Sequence, residues 1–149
     1  MLILALVPSA AVLANTSHAG WPHIDGSLKI NKRDQSTPLR GQPKHHNELL
    51  GGHGSDTIYG GSAGDVLWGD YKPCCQPTTQ VDHIFAGPGN DFIYTSHGTN
   101  YVHTGGGRDV VHAHFGRGEV FCDSSTVTVF MSHVSRRRYR LHGCRHVVL

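Results

Sequence analysis

The sequence predicts an all-β fold in which short strands alternate with glycine-rich turns. Apolar residues recur at a fixed interval, glycines are concentrated in the same block, and an aspartate precedes most of these apolar residues by two positions. Fifteen of the 19 glycines lie between Gly51 and Gly118. Glycine pairs every nine residues would interrupt a helix, and the apolar residues do not recur at the three- and four-residue intervals that a helix requires.

The apolar residues define a repeat of nine residues. They are Leu49, Ile58, Leu67, Ile84, Ile93, Val102, Val111, Val120 and Val129. The step from Leu67 to Ile84 is seventeen residues long, because residues 71–81 form an insertion within one turn. Alternate residues of a strand face the same way, so this apolar column can line a narrow core.

The N-terminal part of the chain is predicted to contain a signal peptide followed by an extended arm. An apolar run from Leu2 to Ala14 precedes small residues, which predicts a secretory signal peptide over 1–19; a buried N-terminal helix is the alternative. The run is too short to span a bilayer, so no stable membrane insertion is expected. Residues 20–44 are polar and rich in Pro and Gly, which predicts an extended arm or cap with at most one short strand, near 28–30.

The repeat block carries a recognisable motif. The stretches GGHGSDTIYGGSAGDVLW (51–68) and AGPGNDFIY (86–94) follow the pattern G-G-x-G-x-D-x-U-x, where U is a large apolar residue. In these residues the chain resembles the haemolysin-type, or RTX, calcium-binding nonapeptide proteins of secreted bacterial type. The resemblance covers about half of the chain. It implies a right-handed parallel β-roll over 45–131, with two nonapeptides per turn and Ca²⁺ between successive glycine-rich turns.

The same resemblance implies that the Asp positions sort into two columns of metal ligands. One column is expected to contain Asp65, Asp91 and Asp109, and the other to contain Asp56, Asp82 and Asn100, with Asp70 as an additional candidate. Carboxylates stacked at about 5 Å, the interstrand distance, repel one another unless a cation lies between them. Ca²⁺ suits such turns because it accepts roughly six to eight oxygen ligands in flexible geometry, whereas Mg²⁺ demands stricter octahedral geometry. The last two units, with Gly118 and Val127 at the Asp position, are expected to be strands without metal.

The C-terminal segment 132–149 contains five arginines and no acidic residue, which predicts a basic cap or capping strand over the open end of the roll. Attraction to phosphate or to an anionic surface is the alternative. Cysteines of a secreted protein are expected to be oxidised, and a Cys122–Cys144 disulfide would fasten the end of the roll. Cys74 and Cys75 are adjacent in the insertion and can form a vicinal disulfide, remain reduced or pair between chains.

A stripe of aromatic and imidazole side chains is expected outside the core. Its members are Leu50, Tyr59, Trp68, Phe85, Tyr94, His103, His112, Phe121 and Phe130. Such a stripe favours cross-strand packing, although it can also bind sugar. Histidines also suit zinc or copper, but His103 and His112 belong to consecutive units and should lie on opposite sheets, which argues against a shared site.

The function expected from these patterns is that of a secreted, extracellular calcium-binding structural module that folds when calcium binds. No G-x-S-x-G or H-E-x-x-H motif occurs, so no enzymatic activity is expected. The net charge of +2 gives no indication of nucleic-acid binding. The alternative is a carbohydrate-binding or cell-surface-binding adhesin that uses the aromatic stripe, with a glycan or another extracellular protein as partner.

Overall fold

The computed structural model describes residues 20–31, 35–71, 75, 77–124 and 126–149 as a parallel β-solenoid. The all-β prediction is therefore confirmed. The predicted signal peptide over 1–19 lies outside the described residues. Within the described ranges, no helix combines the length and apolar character that a membrane span would need.

The strands of the described residues form two parallel sheets that line a common core. Sheet A contains, in spatial order, β1 (Leu28–Ile30), β3 (Glu48–Leu50), β5 (Val66–Trp68), β7 (Phe92–Tyr94), β9 (Val110–Ala113), β11 (Thr128–Met131) and β13 (His146–Val148). Sheet B contains β2 (Leu39–Arg40), β4 (Thr57–Tyr59), β6 (Val81–Phe85), β8 (Thr99–His103), β10 (Arg117–Phe121) and β12 (Tyr139–His142). The chain alternates between the sheets, so each coil of the solenoid contributes one strand to each.

The register stacks each apolar residue on its equivalent in the next coil. In sheet A, Leu49 lies opposite Leu67, and in sheet B, Ile58 lies opposite Ile84. All nine residues of the predicted apolar column are fully buried. The nine-residue repeat therefore sets the register, because a slip of one residue would turn the whole column toward solvent.

Outside the core, the aromatic stripe forms two stacked ladders. The sheet A ladder consists of Trp68, Tyr94, His112 and Phe130, and the sheet B ladder consists of Tyr59, Phe85, His103, Phe121 and His142. Neighbouring rings lie nearly parallel, with centroids 4.0 to 5.2 Å apart. The prediction of cross-strand packing is confirmed. Leu50 was expected to face outward, but it is buried, with Ile30 and Trp68 as its neighbours in the register.

The N-terminal arm contributes two strands, one more than expected. β1 pairs with β3, and β2 pairs with β4, so the arm extends both sheets. The nine-residue pattern does not reveal this coil because Lys29, which is exposed, occupies the register position opposite Leu49. The arm is extended, as expected, and its two strands also form an additional coil at the start of the solenoid.

The basic C-terminal segment forms a short helix, α1 (His133–Arg136), followed by β12 and β13, where a single capping strand was expected. The segment thereby adds a further strand to each sheet. Leu141 and Val147 are half-buried and pack against the core. Leu141 follows Val129 by 12 residues instead of nine because α1 lies in the intervening turn, whereas Val147 lies two nine-residue steps after Val129.

A disulfide joins Cys122 to Cys144, the pair expected from the sequence, with 5.0 Å between the Cα atoms. Cys122 follows β10 and Cys144 precedes β13, so the bond links the last two turns on one side of the solenoid. A crosslink that closes a loop of this size stabilises the fold by about 3 kcal/mol. Cys75 is exposed, and Cys74 lies outside the described residues, so the pairing of these two cysteines stays an open prediction.

Candidate metal centre

Three aspartates stack along one side of the solenoid. Asp65, Asp91 and Asp109 each directly precede a strand of sheet A, and all three are buried. Their turns lead from sheet B to sheet A and lie one above another. We call this side the Asp91 edge. The structure thus brings together the first column of ligands expected from the sequence.

The carboxylates of the Asp91 edge form a ladder with the backbone. The amide of Asp91 donates to Oδ1 of Asp109 at 2.9 Å, and the amide of Asp65 donates to Oδ1 of Asp91 at 2.7 Å. The ladder begins at Asn47, whose backbone amide donates to Oδ1 of Asp65 at 2.6 Å. Each carboxylate therefore reaches back toward the preceding coil and fixes the position of its turn.

The second oxygen of two of these carboxylates has no protein partner. Oδ2 of Asp91 and Oδ2 of Asp109 are buried and accept no hydrogen bond from the described residues. Burial, helped by the neighbouring carboxylates, raises the pKa of Asp91 to about 8, and burial raises the pKa of Asp109 to about 7. A buried carboxylate oxygen without a partner is costly, so both positions call for a cation or a proton.

The opposite side carries the second expected column, and we call it the Asp82 edge. The amide of Asp56 donates to Oδ1 of Asp82 at 2.9 Å, while Oδ2 of Asp56 accepts from the amide of Gly52. Asn31 donates its side-chain amide to Oδ1 of Asp56. Oδ2 of Asp82 is buried without a hydrogen bond, and burial raises the pKa of Asp82 to about 7.

The insertion brings a further carboxylate to the Asp82 edge. Asp70 is buried, and its Oδ2 accepts a hydrogen bond from the side chain of Gln80 at 3.3 Å. The Nε2 atom of His53 lies 3.8 Å from Oδ1 of Asp70. Repulsion from the charges of Asp56 and Asp70 adds to the effect of burial on the pKa of Asp82. This edge therefore concentrates negative charge where the insertion begins and ends.

Asn100 continues the same column but is bonded differently. Its side-chain Nδ2 donates to the carbonyl oxygens of Ser96 at 3.2 Å and Gly98 at 3.3 Å, and to Oη of Tyr139 at 3.0 Å. Its Oδ1 accepts from the amide and the hydroxyl of Ser96. The amide nitrogen thus lies where three oxygens converge, and the side chain is satisfied by protein alone.

The glycine-rich turns place backbone oxygens between the coils. Gly87 has φ +109°, and a Cβ there would collide with the carbonyl oxygen of Gly61 in the adjacent turn. Gly105, with φ +81°, lies against the carbonyl oxygen of Gly87 in the same way. Any side chain at these positions would separate the turns, so glycine is required for their close stacking.

The donors suit a hard cation bound between turns. Among the described residues, no group of three or more His, Cys, Asp or Glu converges on one point. His103 lies in sheet B and His112 in sheet A, as expected, so they do not form a shared site. The oxygens without partners on Asp82, Asp91 and Asp109 fit calcium, with backbone carbonyls and water completing its coordination.

Sequence comparison identifies the same segment. The family model of the RTX calcium-binding nonapeptide repeat matches residues 45–70 and 78–111, in four copies. The matched ranges include all five aspartates of the two columns and leave out part of the insertion. No match was found among curated proteins or among solved structures. The RTX resemblance is therefore confirmed over these ranges, and Ca²⁺ is the ion that this family of repeats binds.

Two residues at the start of the columns were not predicted. Asn47 begins the Asp91 edge, and Asn31 begins the Asp82 edge. Asn47 could have been found, because it precedes Leu49 by two residues and so occupies the Asp position of its unit. Asn31 carries no such signal, since it follows a strand that does not obey the nine-residue spacing.

We predict that the calcium-free chain is more stable at acid pH than at alkaline pH. In the folded state Asp82, Asp91 and Asp109 titrate near pH 7 to 8, whereas their usual pKa is 3.8. Their contribution to stability is therefore complete below pH 3.8 and is lost as the pH rises through 7 to 8. Far-UV circular dichroism and urea unfolding in calcium-free buffer should show less β structure and a lower midpoint at pH 9 than at pH 5.

The control for the pH prediction is Asp91→Asn, which removes the group with the highest of these pKa values. This variant should show a smaller fall in the midpoint between pH 5 and pH 9. An unchanged or higher midpoint of the parent chain at pH 9 would contradict the prediction.

We also predict that Asn100→Asp creates a cation requirement at a position that now has none. The new carboxylate would face the carbonyl oxygens of Ser96 and Gly98 without a donor between them. In calcium-free buffer at pH 5, where the parent chain is expected to keep its β structure, the variant should lose about 2 kcal/mol of stability, since buried acceptors are left unpaired. Calcium should restore more stability to the variant than to the parent, as measured by urea unfolding. Gln35→Glu is the control, because it adds the same charge at an exposed position outside both columns. Equal calcium-free stability of Asn100→Asp and the parent would refute this account of Asn100.

Proposed function

We propose that this chain, whose residues 45–70 and 78–111 are RTX calcium-binding nonapeptide repeats, is a secreted structural module that folds around calcium. The observation that carries the proposal is that three buried carboxylate oxygens, on Asp82, Asp91 and Asp109, accept no hydrogen bond from the part of the chain that the structure describes. A fold that leaves these oxygens unpaired is incomplete without a positive charge. Bound Ca²⁺ would supply that charge between the turns.

The proposal assigns each calcium site to two adjacent turns. On the Asp91 edge, Asp65 with Asp91 and Asp91 with Asp109 would each hold one ion. On the Asp82 edge, Asp56 with Asp82 would hold a third, with Asp70 nearby. Asn100 was expected among the ligands, but its hydrogen bonds to Ser96, Gly98 and Tyr139 support a role as a metal-free closure of the column.

Secretion is the second part of the proposal. The apolar leader over 1–19 and the disulfide between Cys122 and Cys144 both support an extracellular, oxidising environment. Extracellular calcium is millimolar, which suits modules with dissociation constants of roughly 10⁻⁴ to 10⁻³ M. A chain of this kind would stay unfolded at low calcium and fold once outside the cell.

The role is proposed to be structural, without catalysis. The buried carboxylates of Asp82, Asp91 and Asp109 accept backbone hydrogen bonds through Oδ1, and their remaining oxygens are proposed calcium ligands. The alternative of glycan binding on the aromatic stripe is less well supported, because the ring faces of both ladders stack on one another. Faces that are already stacked are not available to a sugar ring.

The main test is calcium-dependent folding. In calcium-free buffer at neutral pH the mature chain should be largely disordered, because folding must either bury charged carboxylates or keep them protonated far above their usual pKa of 3.8. Millimolar calcium should induce β structure, followed by far-UV circular dichroism, and a chelator should reverse it. Magnesium at the same concentration is the control and should be much less effective. A β signal that persists after complete calcium removal at neutral pH would contradict the proposal.

The edge assignment is tested by Asp91→Ala and Asp56→Ala. Asp91 is shared by two proposed sites, so its loss should remove both, whereas loss of Asp56 should cost at most one weaker site. Titration calorimetry would count the remaining sites in each variant. Asp25→Ala is the control, since Asp25 is exposed and lies outside both columns. If Asp56→Ala abolished calcium binding while Asp91→Ala left it unchanged, the assignment would be wrong.

A further inference from the structure

The C-terminal end of the solenoid carries a basic groove of about 560 Å³. Five arginines line it, and Glu119 is the one acidic residue among its lining residues. The arginines are Arg117 at the start of β10, Arg136 in α1, Arg137 and Arg138 in the link to β12, and Arg140 in β12. We call this feature the arginine groove.

Most of these guanidinium groups are not neutralised by the protein. The side chains of Arg136, Arg137 and Arg138 are exposed and make no hydrogen bond or ion pair with any described residue. Arg117 donates to the carbonyl oxygen of Thr78 at 3.1 Å, which holds the side chain without cancelling its charge. Arg140 lies 3.8 Å from Glu119, and because the Arg140 side chain is largely exposed this ion pair is of little strength.

Glu119 offsets only a small part of the groove's charge, because it is one carboxylate beside five arginines. Its Oε2 lies 2.7 Å from Nε2 of His142 on the neighbouring strand. The contact with the Arg140 guanidinium is the longer of the two, and Arg140 is largely exposed. The groove therefore presents an excess of positive charge to solvent.

The backbone that carries these arginines is fixed. Ser132 and Ser135 form a reciprocal capping box at the start of α1, and the amide of Arg138 donates to the carbonyl oxygen of Ser135. Tyr139 is buried, and its hydroxyl donates to the carbonyl oxygen of Phe115. A row of cations on a rigid backbone costs little entropy to engage, which favours binding.

We propose that the arginine groove binds an anionic polysaccharide. Repeated guanidinium groups match a ligand whose carboxylate or sulfate groups recur along a chain, and each guanidinium can pair with such a group through two hydrogen bonds. The concave shape suits a chain better than a flat bilayer surface.

The aromatic residues of the groove argue against a nucleic acid. Single-stranded nucleic acids bind by stacking their bases on free aromatic faces. In the groove, the ring of Tyr101 is stacked on His83 with centroids 5.0 Å apart, and Tyr139 is 5% exposed. A polysaccharide does not need such a face, since its charged groups can bind the arginines directly.

This inference goes beyond the calcium-dependent scaffold and concerns a different part of the solenoid. The groove is lined by Gly118, which occupies the Asp position of its unit, and by none of the proposed calcium ligands. Failure of polysaccharide binding would leave the calcium titrations unaffected, and the two proposals can be judged separately.

The test uses the calcium-loaded full chain and four immobilised probes: dextran sulfate, carboxymethyl dextran, uncharged dextran and oligothymidylate. Dextran sulfate or carboxymethyl dextran should bind in a salt-sensitive manner, uncharged dextran should not bind, and the comparison of the first two shows whether sulfate or carboxylate is preferred. The double variant Arg137→Gln/Arg138→Gln should weaken binding of the charged dextrans by roughly tenfold or more, because charge-assisted hydrogen bonds are lost.

The matched control is Arg108→Gln/Arg145→Gln, which removes the same charge from two exposed arginines outside the groove. It should change the affinity by less than about twofold. Equal weakening by both double variants would overturn the proposal, since it would indicate attraction to net charge alone. Anionic lipid vesicles are tested beside these probes, and tighter binding of oligothymidylate or of the vesicles than of either charged dextran would also overturn the proposal.

A second measurement looks for a gain of affinity, because a misfolded variant would not bind the ligand more tightly. Glu119→Gln removes the acidic group from the groove and keeps a hydrogen-bonding side chain beside His142. The variant should bind the preferred charged dextran several times more tightly. Unchanged or weaker binding would count against the groove as the binding site.

Discussion

The stacking of buried carboxylates is the constraint on which the rest of this structure depends. A solenoid with a nine-residue repeat places identical residues above one another, so any charge in the repeat becomes a column of like charges. Oδ1 of each stacked aspartate aligns the preceding turn, because it accepts a hydrogen bond from the backbone amide of the aspartate one coil earlier, Asp65 to Asp91 and Asp91 to Asp109. Oδ2 of Asp91 and Oδ2 of Asp109 accept no hydrogen bond from the described residues. The fold therefore needs a cation or a proton at these two positions.

At the two ends of the solenoid, hydrogen bonds and a disulfide link the turns in place of stacked carboxylates and a cation. At the start, the amides of Asn31 and Asn47 donate to the first carboxylate of each column. At the far end, the disulfide between Cys122 and Cys144 links the last turns on the Asp91 edge. On the Asp82 edge, Asn100 and Tyr139 link successive turns by hydrogen bonds. Neutral or covalent links thus replace charge where the column has no further carboxylate to share an ion.

The sequence predicts the repeat region well and the ends poorly, for one physical reason. Where every coil repeats the same environment, the spacing of apolar residues determines register, burial and the sorting of the aspartates between two edges. At Lys29 and at Leu141 the coil persists but the spacing departs from nine, so periodicity alone detects neither β2 nor β12. The arginines of the tail are visible in the sequence, but the groove that they form with Arg117 is not, because Arg117 and Arg138 come together only when the tail winds beside β10.

The distribution of charge in the folded chain differs from what its net charge of +2 suggests. The aspartates of both columns are buried, and burial favours their neutral form, while a bound cation would neutralise their charged form. The five arginines of the groove are exposed and keep their charge in either case. An approaching anion therefore meets a positively charged C-terminal end, and the acidic columns offset this charge only slightly. The separation of buried aspartates from exposed arginines is what would allow one small solenoid to bind both calcium and the proposed anionic ligand.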